Sequence, residues 1–303
     1  MGTPEFALPS LKILLDNNYP VVAVVTVPDK LAGRGQQLSL SPIKKFALRH
    51  QLHILQPEKL KEKGFIEELI SLQPDIIVVV AFRILPSEVF TISKHGAFNL
   101  HASLLPKYRG AAPINWAIIN GEKETGATTF FLEEKVDTGN IILQARVPID
   151  EDETAGGLHD TLSEIGAELV LHTVRLIELG KAIPKQQNNN VASAAPKIFK
   201  EQCRIDWNKN AVEIHNFIRG LSPKPCAYTL WGETLIKLYR SKVLQNSQAG
   251  APGEILRADG TLVVSTGSGA VEVLEIQQEG KKMLSTEEFL RGFRLAKGER
   301  FHS

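Results

Sequence analysis

The chain has 303 residues and a mass of 33.4 kDa, too long for one small domain and suited to two. Its 43% hydrophobic and 23% charged residues exclude global disorder and a collagen-like fibre, and a net charge of +1 does not by itself call for nucleic acid. Apolar runs such as residues 75–82 are too short to span a bilayer, Cys203 and Cys226 are too few for a disulfide framework or a four-cysteine zinc site, and Pro4 and Glu5 interrupt any signal-peptide core, so a cytoplasmic protein without a metal or a membrane anchor is expected.

The first half alternates β and α patterns. Gly2-Thr3-Pro4-Glu5 reads as the turn after a strand, leading into a helix that ends near Asn18. In a doubly wound sheet the first strand is central. None precedes this turn, so the natural start is expected upstream, with Met1 at the end of a missing first strand. Val21–Val27 is a β-branched run and reads as a buried strand. Ser41-Pro42 opens a helix to about His50, with serine as N-cap and proline in the first turn. Lys59–Leu72 has helical spacing, with Phe65, Leu69 and Leu72 on one stripe. Strands are predicted at Asp75–Phe82, Ala97–Leu105, Ala127–Glu134 and Ile141–Ile149, and a long helix over Thr154–Leu179. This order predicts an α/β fold with a Rossmann-like, mostly parallel, doubly wound sheet over residues 1–180.

Residues 181–200 are polar, with Gln186-Gln-Asn-Asn-Asn190 in the middle, and read as a linker. Beyond residue 201 the pattern changes. A short helix at Ala211–Gly220 precedes strands at Ala227–Trp231, Thr234–Val243, Gly253–Arg257, Thr261–Ser265 and Ala270–Gln277, separated by Gly and Asp turns. A small β-barrel, OB-like, is expected over 201–303. Ser285-x-x-Glu288 is a capping box that opens a last helix.

The charge is unevenly spread. Residues 29–61 hold seven Lys or Arg against two acids, and residues 181–200 hold four Lys and no acid, which leaves 24 basic against 32 acidic residues elsewhere. Two basic segments on an acidic body suit a polyanion, and they equally suit two solvated loops. Ala32-Gly-Arg-Gly35 lacks the spacing of a dinucleotide fingerprint. It reads as a loop that presents Arg34.

The informative stretch runs from Phe98 to Pro113. Asn99 and His101 lie two apart on a strand and leave the same face of the sheet. The carboxyl end of such a strand is where open α/β sheets bind ligands. An imidazole with a pKa of ~6.5 exchanges protons near neutrality, and a well-placed amide donor beside a developing oxyanion is worth roughly 10²–10³ in rate. A polar pair satisfied at a strand end has the same sequence. Asp137, in Val136-Asp-Thr-Gly139, either orients His101 or caps its own turn.

These residues carry a resemblance. Met-Gly-Thr-Pro-Glu-Phe-Ala7, Pro28-Asp-Lys30, Ala32-Gly-Arg-Gly35, Asn99-x-His101-x-Ser-Leu-Leu-Pro-x-Tyr-Arg-Gly-Ala-Ala-Pro113, Asp137-Thr-Gly139, Arg204-Ile-Asp-Trp207 and Phe217-Ile-Arg-Gly-Leu-Ser222 together resemble the methionyl-tRNA formyltransferases, within the formyltetrahydrofolate-using superfamily. The resemblance implies transfer of a formyl group from 10-formyltetrahydrofolate, as co-substrate and without a metal, to the α-amine of methionyl-initiator-tRNA. It implies Asn99, His101 and Asp137 as the catalytic set. Phe82, Arg83, Ile84, Leu85, Ser103, Leu104, Leu105, Pro106 and Val136 are implied around the folate, and Arg34, Lys44, Lys45, Lys197 and Lys200 against tRNA. The partners implied are initiator Met-tRNA and the folate, on a monomer. Arg83 departs from the Ala-Tyr-Gly of many relatives and is similar instead to the purine-pathway formyltransferases. Glycinamide ribonucleotide formyltransferase, formyltetrahydrofolate hydrolase and a catalytically inactive RNA-binding relative are the competing readings.

Overall fold

The computed structural model describes residues 1–32, 37–244 and 250–303. The chain divides into two compact units: Met1–Gly110, Gly126–Val147 and His159–Ala194 form the first, and Ala111–Thr125, Pro148–Leu158 and Ala195–Ser303 the second.

In the first unit the elements are α1 (Leu8–Asp16), β1 (Val24–Val25), β2 (Lys30–Ala32), β3 (Gln37–Ser39), α2 (Pro42–Arg49), β4 (Ile54–Leu55), α3 (Lys63–Ser71), β5 (Ile77–Val80), α4 (Ser87–Phe90) and β6 (Ala97–His101). After α5 (Pro113–Ile119), which belongs to the second unit, come β7 (Glu124–Phe131), β8 (Ile141–Pro148) and the long α6 (Ala155–Glu178). β1 pairs β4 in parallel, β5 pairs β6 in parallel, and β6 pairs β7 antiparallel within the order β5-β6-β7-β8. The sheet is therefore mixed on the β7 side.

Alternation places the strands between two layers. Ile77, Val79 and Ala97 turn to a core shared with Phe65 and Leu69 of α3. On the other face α6 approaches so closely that a Cβ on Gly166 would stand 2.7 Å from Leu100 Cδ2. Ser41 caps α2 by accepting from the Lys44 amide at 3.1 Å, which is why the Ser-Pro pair marks that helix so clearly.

The β-branched run 21–27 forms a ladder only at Val24–Val25, opposite the two-residue β4. Met1 and Gly2 occupy the position between β1 and β5: the Gly2 amide donates to Val25 O at 3.0 Å and the Val80 amide to Met1 O at 2.9 Å. Below Met1 lies a cavity of about 460 Å³, lined by groups that include Leu11, Leu14, Ala23, Ile77, Val174 and Ile177. The Met1 nitrogen donates to Val78 O at 2.6 Å.

The second unit contains α5, α7 (Ala211–Leu221), β9 (Ala227–Trp231), β10 (Thr234–Leu244), β11 (Ile255–Ala258), β12 (Leu262–Ser265), β13 (Ala270–Gln278), β14 (Leu284–Ser285) and α8 (Thr286–Gly292). All its ladders are antiparallel, in the order β11-β12-β13-β10-β9 with β14 beside β13. Among the described residues β9 and β11 do not pair with each other, so the closed barrel expected from the sequence gives way to an open path. The chain end joins its edges instead: His302 bridges Leu230 of β9, and Arg300 bridges Glu254 just before β11. Trp207, Ile214, Ile218, Ile236, Val271 and Phe301 are in the core beneath. Capping boxes at Asn210/Glu213 and Ser285/Glu288 start α7 and α8. Among the described residues no helix is long and apolar enough to cross a membrane.

Candidate active site

The site is built at the carboxyl end of β6. Asn99 and His101 share the face that also carries Ala97; Asn99 is half-buried and His101 is 6% exposed. His101 Nε2 lies 2.8 Å from the Tyr108 carbonyl oxygen. A carbonyl only accepts, so Nε2 carries the proton and Nδ1 is the nitrogen left to exchange one. Nδ1 faces Asp137 Oδ2 at 3.8 Å, with Asp137 itself 8% exposed. That separation exceeds a direct hydrogen bond and keeps the two groups within close charge contact.

The loop between β7 and β8 is shaped to present Asp137. The residue has φ +56°, a left-handed conformation that Asp tolerates better than most. Gly139 passes so close to β7 that a Cβ would meet Phe131 O at 1.7 Å, so no other residue fits. Oδ2 of Asp137 accepts from the Gly110 amide at 2.8 Å. The loop bearing Tyr108 and Gly110 is held in turn: the Tyr108 amide donates to Ser193 Oγ at 2.9 Å, and the Arg109 amide to Ser193 O at 2.8 Å.

The other residues singled out from the sequence fall into two groups. Leu85, Ser103 and Leu105 are buried, and Ser103 Oγ donates to Lys107 O at 2.7 Å, which makes it a loop tie. Phe82, Arg83, Leu104 and Pro106 are half-buried, while Ile84 is 73% exposed and Val136 49%. Because β5 and β6 are parallel, the loops after them leave the same edge of the sheet. Arg83 holds its loop by donating to Pro57 O and Glu58 O at 2.8 and 2.9 Å, with its guanidinium over the Phe82 ring.

Of the cations, Lys44 is spent on Asp29 and on Gln56 Oε1, and this pairing holds the Asp29 carboxyl below its usual range. Lys45, Lys197 and Lys200 are exposed, with Lys197 over the ring of the exposed Phe199. Arg34 lies outside the described residues. Sequence reasoning misses the Tyr108 carbonyl, the Gly110 amide and Gln187, because backbone groups have no sequence signature and a glutamine within a polar run looks solvated.

Two family models match the chain: Formyl transferase over residues 1–174, and Formyl transferase, C-terminal domain, over residues 197–294. A methionyl-tRNA formyltransferase of Caldanaerobacter subterraneus subsp. tengcongensis is 47% identical over 300 residues, covering 98% of this chain and 97% of that protein. One from Chlorobium phaeovibrioides is 48% identical over 309 residues, covering 100% and 97%. The chain belongs to the methionyl-tRNA formyltransferase family. Among solved structures, the N-formyltransferase of Helicobacter canadensis, in complex with folinic acid and dTDP-3-aminofucose, superposes with a TM-score of 0.69 at 25% identity, over 90% of this chain and 96% of that one. HypX of Aquifex aeolicus, in complex with tetrahydrofolic acid, shares the fold at 20% identity with a TM-score of 0.60, over 83% of this chain and 47% of that one.

Proposed function

We propose that the chain transfers a formyl group from 10-formyltetrahydrofolate to the α-amine of methionine on initiator tRNA, in the cytoplasm and as a monomer. The observation that carries this reading is identity near one half to methionyl-tRNA formyltransferases along both units, where a small-ribotide enzyme has no need of the second.

The residues suit the chemistry. An amine attacking a formyl carbon must lose a proton, and the carbonyl oxygen gains charge. The Asn99 amide serves as donor to that oxygen. His101 Nδ1 receives the amine proton, directly or through water, and the imidazolium so formed faces the Asp137 carboxylate. The same nitrogen returns the proton to the departing folate amine. Nε2 takes no part in this, since the Tyr108 carbonyl occupies it and fixes the ring. The flat heterocycle of the folate fits the apolar side chains at Phe82, Ile84, Leu104, Pro106 and Val136, which the fold leaves at least partly uncovered. Arg34, Lys45, Lys197 and Lys200 take tRNA phosphates, and Lys44 acts through its hold on Asp29.

Consumption of 10-formyltetrahydrofolate is expected only when Met-tRNA is present. Steady conversion in buffer alone would favour a hydrolase. Arg34→Ala is expected to raise the KM for Met-tRNA with little change in that for the folate, and to lower the salt slope of tRNA binding by about 1. Filter binding over a salt series, together with both KM values, checks this; equal changes in the two KM values mean that the loop is structural.

A further inference from the structure

Residues 185–190 are exposed with one exception. Gln187 is 6% exposed, between Gln186 and Asn188, which are open to solvent. Its amide is fully engaged. Nε2 donates to Asp137 O at 3.0 Å and to Gly139 O at 2.8 Å. Oε1 accepts from Arg109 Nε at 3.2 Å and Nη2 at 2.6 Å, and Nη2 reaches Asn189 Oδ1 as well, at 2.8 Å. One side chain thus ties the loop that presents Asp137 to the loop whose carbonyl orients His101. The segment carrying it is itself anchored: Lys185 exchanges both backbone hydrogen bonds with Ile141 at 2.8 Å, and Ser193 holds the amides of Tyr108 and Arg109.

We propose that Gln187 is a positioning residue for formyl transfer, holding Asp137 in its left-handed conformation against His101 through its two carbonyl contacts and its Arg109 partner. This rests on the formyl-transfer reading above. The residue type is dictated by the contacts. Glutamate keeps the acceptor for Arg109 but donates nothing to the two carbonyls. Asparagine is one methylene short. Alanine strands the guanidinium and both carbonyls together. The amide touches no reacting atom, and of the two loops it ties it acts on the reaction through the one that bears Asp137.

The test is a double-mutant cycle in the full chain, with kcat, both KM values and thermal stability measured for wild type, Gln187→Glu, Gln187→Ala, Asp137→Asn and the Gln187→Ala/Asp137→Asn double variant. In the wild-type background each Gln187 change is expected to lower kcat by roughly 10- to 100-fold, with both KM values within about 3-fold, and in the Asp137→Asn background Gln187→Ala is expected to cost less than about 2-fold, because residues that act through one another are not additive. Gln187→Glu, nearly isosteric, carries the test if the alanine variant does not fold. Equal losses in both backgrounds, or a kcat for Gln187→Glu within about 2-fold of wild type, would overturn the proposal. A wild-type chain that does not formylate Met-tRNA would overturn the functional reading instead, so the two failures are distinguishable.

Discussion

His101→Ala is expected to lower kcat/KM for formyl transfer by roughly 10²–10⁴-fold, the range that a positioned acid–base group supplies. The loss should fall mainly on kcat, because the imidazole exchanges its proton during the reaction and is too covered, at 6% exposure, to add much binding area. The substitution also removes the hydrogen bond from Nε2 to the Tyr108 carbonyl and leaves a small void. Together these cost about 1–3 kcal/mol of stability, which a chain of ordinary stability survives. Steady-state kinetics with far-ultraviolet circular dichroism and a melting curve separates the two effects. Near-normal kcat in a folded variant removes His101 from the chemistry.

Asp137→Asn is the sharper probe of the carboxylate. Asparagine tolerates the left-handed backbone at φ +56°, and its oxygen still accepts from the Gly110 amide, so shape is kept while the charge is lost. An imidazolium formed at His101 then has no counter-charge 3.8 Å away. By analogy with buried aspartates that orient a catalytic histidine, kcat is expected to fall by ~10²–10⁴-fold at little cost in stability. Asp137→Ala should lose as much activity and also melt earlier, since it strands the Gly110 amide and places a Cβ residue of poorer left-handed tolerance in the turn. An Asp137→Asn variant of normal activity would reduce the carboxylate to a turn cap, the plainer of the two meanings its sequence allows.

Much of the fold was legible because local rules and tertiary structure agree. Ser41-Pro42 and Ser285-x-x-Glu288 mark helix starts whose cap bonds are formed. Alternation between two turns fixes Ala227–Trp231. What was not legible depends on neighbours. The run 21–27 has strand chemistry throughout, yet only Val24 and Val25 find a ladder partner, in the two-residue β4. β7 has the composition of a parallel strand and runs antiparallel, because direction follows from the connection and not from side chains. The second sheet has the turns of a barrel, and whether its ends meet is decided by the chain terminus at Arg300 and His302.

The site divides in the same way. Asn99 and His101 could be paired from strand periodicity alone. Asp137 could be named but not placed, since its approach to His101 depends on a left-handed backbone, a glycine that passes against Phe131, and a glutamine fifty residues on. Lys44 pairs with Asp29 within the fold, a contact that a count of charges along the chain does not reveal.

The most direct measurement is the fate of the transferred carbon. Purified chain is supplied with 10-formyltetrahydrofolate carrying ¹³C in the formyl group, together with methionyl-initiator-tRNA, glycinamide ribotide and water as competing acceptors, and the products are resolved by mass spectrometry after mild deacylation of the tRNA. The account predicts ¹³C in N-formylmethionine and an equal amount of tetrahydrofolate. Label found chiefly in formate or in the formylated ribotide would contradict it.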